Sequence, residues 1–75
     1  MTLEAATRPV RLHDLSRLRP GMEIEARDLN AVRYRGHVVD TAPRLGIVWI
    51  LEAGHGARRI LDQQEFSLWL VQPDC

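Results

Sequence analysis

Lysine is missing from this chain of 75 residues, cysteine occurs once, and aromatic residues make up 5%. Each shortage excludes something. A lone cysteine, Cys75, cannot form a disulfide within the chain, so nothing staples the fold covalently and a cytoplasmic setting is the default expectation. His13, His37 and His55 are scattered, without the short Cys/His spacings that hold zinc, so no metal is expected. No apolar run approaches the roughly 20 residues that span a bilayer, and "MTLEAATRPV" lacks the basic start and apolar centre of a secretory signal. Formal net charge is +0, so no overall field steers the chain to nucleic acid or to an anionic membrane. All ten basic residues are arginine, a usage that a GC-rich genome also produces.

Catalytic chemistry is short of parts as well. A nucleophile needs an oriented base beside it, and Ser16 and Ser67 both lie outside any glycine elbow between strand and helix. Gly54-His55-Gly56 lacks the glycine spacing, lysine and following helix of a phosphate loop. The expectation is a non-enzyme without cofactor, metal or small-molecule substrate.

What the chain does have is a pattern. At this length it is one domain at most, and such a domain buries only about 60% of its unfolded surface. Residues 1–17 read as a flexible arm. Leu12, Leu15 and Leu18 could share one side of a helical turn that Pro20-Gly21 stops. Four arginines stand in the first 20 residues against Glu4 and Asp14, a local basic excess. From Met22 the period becomes two: Met22, Ile24 and Ala26 alternate with Glu23, Glu25 and Arg27, a half-buried strand. "DLNA" is turn chemistry, with Asp28 and Asn30 supplying local hydrogen bonds. "VRYRGHVVD" gives a second strand with Gly36 at a bulge or bend. "IVWILE" gives a third, apolar on both faces, "ARRIL" a fourth and "SLWLV" a fifth that Pro73 ends. A turn over residues 53–57 joins the third and fourth as a hairpin. Its glycines supply positive φ, His55 stands at the tip, and Glu52 faces Arg58, Ile50 faces Ile60 and Trp49 faces Leu61. "DQQE" has capping-box spacing and predicts a short 3₁₀ turn before the last strand.

Five short strands with a helical turn before the last follow the order of an SH3-like small β-barrel. "LRPGMEIEAR" resembles the opening of Tudor-type and KOW-type members, with Leu18, Gly21 and Ile24 matching their leucine–glycine–valine pattern, and "EFSLWLV" resembles their closing strand. The stretch "LRPGMEIEARDLNAVRYRGHVVDTA" is also similar to the PRC-barrel pattern through Gly21, Asp28, Gly36, Val38 and Asp40. Either resemblance covers residues 18–72 and leaves 73–75 as a tail. The fold expected is all-β: a small five-stranded SH3-like barrel behind a flexible N-terminal arm. The Tudor resemblance implies binding of methylated side chains, peptides or nucleic acid. The PRC resemblance implies docking onto ribosomal or membrane-associated assemblies. The chain departs from the Tudor pattern in having too few aromatics for a methyl-lysine cage.

Two candidate surfaces remain. So small a barrel cannot hide both faces of residues 47–51. If Val48, Ile50 and Ile60 point inward, then Ile47, Trp49 and Leu51 point out, and Trp69 and Val71 join them as a partner-binding patch. The opposite assignment buries Trp49 and covers the other face with the Leu12-Leu15-Leu18 turn; strand periodicity alone does not choose. The second surface is an arginine stripe, Arg33, Arg35 and His37 with Arg58 or Arg59 nearby, which would contact phosphate. Glu23 and Glu25 on the first strand would cancel part of it as cross-strand ion pairs. The leading expectation is a protein-interaction module that binds a protein partner or its own copy. The alternatives are a weak RNA- or DNA-binding module and a regulatory subunit of an enzyme.

Overall fold

The computed structural model describes residues 9–29 and 31–71. Among the described residues six strands form: β1 (Val10–Leu12), β2 (Glu23–Asp28), β3 (Ala31–Ala42), β4 (Ile47–Glu52), β5 (Arg58–Asp62) and β6 (Ser67–Leu70). They make one antiparallel sheet in the order β1-β6-β2-β3-β4-β5. The expected all-β class holds, but the expected closed barrel does not. The sheet is open, so the five-stranded SH3-like barrel and the Tudor, KOW and PRC-barrel resemblances are corrected. Closure would require main-chain pairing between the two edge strands. Among the described residues β1 pairs only with β6 and β5 only with β4. A side chain links the two margins: Gln63 Nε2, just past β5, donates to the His13 carbonyl just past β1 at 2.9 Å.

The sixth strand comes from the segment read as an arm. Val10, Arg11 and Leu12 lie opposite Leu70, Trp69 and Leu68. A 3₁₀ segment, Leu15–Arg17, follows, with Asp14 accepting from the Ser16 N–H at 3.0 Å. Residues 1–8 and 72–75, including Arg8, Pro73 and Cys75, lie outside the described residues, as does Asn30 of the "DLNA" turn. The 3₁₀ turn expected before the last strand is a hydrogen-bonded turn instead: the Gln64 N–H donates to Asp62 Oδ1 and the Glu65 N–H to the Asp62 carbonyl. The second 3₁₀ segment falls at Pro43–Leu45, where Pro43 starts a turn that Gly46 ends at φ 69°.

One face of the sheet holds the core. Ile24 and Ala26 of β2, Val38 of β3, Val48 and Ile50 of β4, Leu61 of β5 and Leu68 of β6 are buried together, and Leu15 and Leu18 of the 3₁₀ segment pack into the same cluster. The alternation of β2 therefore buries the residues that its period of two indicates. Two bulges break the regularity of β3, one between Ala26 and Arg27 of its β2 pairing and one between Val38 and Asp40 of its β4 pairing. The first leaves Val32 opposite Arg27 and exposed, while Tyr34 turns toward the core. Gly36 is not itself a bulge. A Cβ there would collide with the Leu51 carbonyl oxygen and stand 2.8 Å from its carbonyl carbon, so the two backbones meet where only glycine fits.

Two stability measurements check this packing. Gly36→Ala forces backbone against backbone and is expected to cost about 3 kcal/mol or more in urea unfolding, enough to unfold much of so small a domain. Leu15→Ala, in a residue 1% exposed, is expected to cost about 2–5 kcal/mol; a loss within a few tenths would mean that the 3₁₀ segment does not cover the core.

Candidate interaction face

The hairpin register sets the outward face. Ile47 lies opposite Asp62, Val48 opposite Leu61, Trp49 opposite Ile60, Ile50 opposite Arg59 and Leu51 opposite Arg58. This is one residue away from the register expected from the sequence. A one-residue slip exchanges the faces of a strand, and the observed register is the one that places Val48, Ile50 and Leu61 together in the core. The turn explains the offset. The Glu52 N–H donates to the Ala57 carbonyl, and the Gly56 N–H to the Glu52 carbonyl, so four residues, 53–56, make the bend. Gly54 and Gly56 carry its positive φ values. Glu52 still finds an arginine, but it is Arg59, which reaches it from the core side and also lies 4.2 Å over the Tyr34 ring. His55 at the tip lies 3.2 Å from Glu52 through Nε2 and accepts the Ala57 N–H through Nδ1.

With Val48 and Ile50 inward, Ile47, Trp49 and Leu51 face outward together. Ile47 and Trp49 are half-buried, Leu51 is 43% exposed and Ile60 beside Trp49 is 60% exposed. The sequence pairs Ile60 with Ile50 and so places it on the same face as Val48; the slipped register pairs it with Trp49 on the outward face instead. Trp69 also stands on the outward face, opposite Arg11 and Glu25, but β2 and β3 separate it from β4. Its ring carries the Arg27 guanidinium at 4.4 Å, and its Nε1 donates to Ser67 Oγ at 3.0 Å. Val71 is 8% exposed and so is buried rather than displayed.

The arginine stripe is divided. Arg33 sits at a bulge and lies 3.9 Å from Asp28. Arg35 donates to Glu25 at 2.6 Å and lies 3.9 Å from Glu23. His37 is exposed between Glu23 and Leu51. Arg58 faces outward and Arg59 inward, so these two do not share a surface. The half of the outward face around β2 is thus a charged network with Glu25, 4% exposed, at its centre. One Glu25 oxygen takes two hydrogen bonds from Arg27, at 2.9 and 3.1 Å, and the other takes the Arg35 bond. Burial works to raise the Glu25 carboxyl, and the hydrogen bonds and positive charge of Arg27 and Arg35 more than offset it, holding it below the ordinary 4.5. The Arg59 hydrogen bond likewise lowers the Glu52 carboxyl.

At the opposite margin of the sheet is a hollow of about 560 Å³, floored by Leu12, Leu18, Met22 and Leu70 and rimmed by Arg11 and Arg17. No signal in the sequence marked it, because its walls come from β1, the first 3₁₀ segment and β6, and β1 was not foreseen. Among the described residues no group of three His, Cys, Asp or Glu side chains is placed to hold a metal ion, and no helix is long and apolar enough to cross a membrane.

Glu25 makes a pH test. Its folded value is depressed, so the stabilisation from its ionised form is complete above the ordinary glutamate range and is lost as pH falls through the folded value. Glu25→Gln is expected to lower stability at pH 7 by about 1–3 kcal/mol and to flatten the loss of stability below about pH 4.5 seen in urea titrations of the parent. An acid limb of unchanged slope in the variant would remove Glu25 from the account.

Comparison of the chain with protein-family models, with curated proteins and with solved structures finds no match, so its functional reading rests on the geometry above.

Proposed function

We propose that this chain is a non-catalytic interaction module, acting in the cytoplasm, whose docking surface is the outward face of the β4–β5 hairpin. The single observation behind this reading is the grouping of exposed Leu51 and Ile60 with half-buried Trp49 and Ile47 on the outward face of the β4–β5 hairpin. Apolar side chains grouped on an open face favour contact with another apolar surface, and tryptophan beside aliphatics is the composition of binding hot spots. Arg58 and Asp62 stand at the rim, where charge guides register more than it adds affinity. Trp69 and Val71 contribute less than the sequence alone suggests, one lying under Arg27 and the other buried.

The nucleic-acid reading draws less support. Its arginines face different sides of the sheet or are engaged by Glu23, Glu25, Asp28 and Glu52. A regulatory-subunit role is compatible with the same docking face and would be decided by who the partner is.

A photo-crosslinking side chain in place of Leu51, in cells of the source organism, tests the surface directly. The expected result is one recurring adduct, the chain itself or one other protein, that disappears when Ile60→Glu is added. Adducts indistinguishable from those of the same probe at exposed Arg44 would contradict the reading.

A further inference from the structure

β5 ends the sheet, and the hydrogen bonds at its two ends show which of its main-chain groups face β4 and which face away. The Glu52 N–H donates to the Ala57 carbonyl at one end, and the Gln63 N–H donates to the Gly46 carbonyl at the other, both at 2.8 Å. Between them the register runs from Leu51 opposite Arg58 to Ile47 opposite Asp62. Antiparallel alternation then turns the N–H and C=O groups of Arg59 and Leu61 toward β4 and those of Arg58, Ile60 and Asp62 toward the open side. These same three residues carry their side chains on the outward face, beside Leu51, Trp49 and Ile47. An edge of this kind is a template for another strand. The other edge is poorer, since β1 has only three residues and Pro9 precedes it.

The side chains name the strand that fits. Read backwards about Ile60, the segment Arg58-Arg59-Ile60-Leu61-Asp62 places an aspartate opposite an arginine. Neither Arg58 nor Asp62 has an ion-pair partner among the described residues. Asp62 spends Oδ1 on the Gln64 N–H, and among the described hydrogen bonds Oδ2 has no donor.

We propose that a second copy of the chain docks edge to edge on β5, antiparallel, about a two-fold axis through Ile60. The proposal rests on the reading of the β4–β5 face as an interface and names its occupant. In this register Ile60 exchanges main-chain hydrogen bonds with the partner's Ile60, and the Arg58 carbonyl takes the N–H of the partner's Asp62. The ladder ends there, because the Asp62 carbonyl already accepts from the Glu65 and Phe66 N–H groups. Two Arg58–Asp62 cross-strand pairs flank the axis, and the two Ile60 side chains meet on the outward face between the two copies of Trp49. The contact is self-complementary, so it closes at two copies and consumes the open edge.

Sedimentation equilibrium or native mass spectrometry of the full chain over a range of concentrations reads the result. The wild type is expected to form a dimer. R58D and D62R each set like charges opposite one another at both flanks and are expected to weaken it about tenfold. An equimolar mixture of R58D and D62R restores opposite charges at both flanks and is expected to recover the dimer as a mixed pair. D62R also loses the turn bond to Gln64, so I60K, which leaves the turn intact, serves as a second disrupting variant, and circular dichroism checks the fold of each. A wild type that stays monomeric up to about 1 mM, or a dimer that R58D and I60K leave unchanged, overturns the proposal. A monomer whose Leu51 probe captures a single other protein overturns the two-fold pairing alone and leaves the docking face standing.

Discussion

The Leu51 carbonyl oxygen lies in the space where residue 36 would carry a Cβ, and residue 36 is glycine. That close approach locks β3 against β4 with Gly36 opposite Glu52 and Val38 opposite Ile50. Strand alternation does the rest. With Ile50 facing Val38 inside the core, Val48 goes inward as well, and Trp49 and Leu51 have no choice but the other side. β5 must then present Leu61 to Val48, which throws Ile60 outward beside Trp49. The identity of the outward apolar patch is thus a consequence of backbone contact and side-chain parity.

The outward face has two chemistries because two solutions to exposure were used on it. Over β6, β2 and β3, charges cover the sheet: Glu25 is enclosed by Arg27 and Arg35, and Trp69 is shielded by the Arg27 guanidinium and satisfied through Ser67. Against the effect of burial, the hydrogen bonds and charge of the two arginines hold this carboxylate ionised to lower pH than an ordinary glutamate, which ties the centre of the sheet to pH on the acid side. Over β4 and β5 no comparable charged cover exists among the described residues, and Leu51 and Ile60 are exposed beside half-buried Ile47 and Trp49. Domains this small have little core with which to offset exposed apolar area, so the uncovered half is the costly one in an isolated chain.

Much of the strand content was legible. The period of two in residues 22–27 and the apolar run of residues 47–51 read directly as β2 and β4, because alternation and β-branched content act locally. The glycine-bracketed bend was legible as a turn over residues 53–57, but Ala57 belongs to the paired strands, so its length was misjudged by one residue. β1 was not. Its three residues follow a proline and show no alternation long enough to separate from an arm, and it becomes a strand only because β6 offers an edge to pair with. Openness was not legible either: closure depends on which edges meet in space, and glycine and aliphatic patterns are shared by sheets that close and sheets that do not. At the candidate site, the outward placement of Ile47, Trp49 and Leu51 was one of two alternatives the pattern allowed. Ile60 was hidden by a single residue of register, which opposing apolar pairs alone did not resolve.

The open sheet requires β5 to be an unpaired edge within one chain. Residue-by-residue amide exchange across a dilution series measures this. The Arg59 and Leu61 amides, bonded to β4, are expected to exchange slowly at every concentration, while the Ile60 amide exchanges rapidly in dilute solution and gains protection as concentration rises. An Ile60 amide as protected as that of Leu61 at the lowest concentration would mean that β5 is paired inside the monomer, and the open sheet with its docking edge would be wrong.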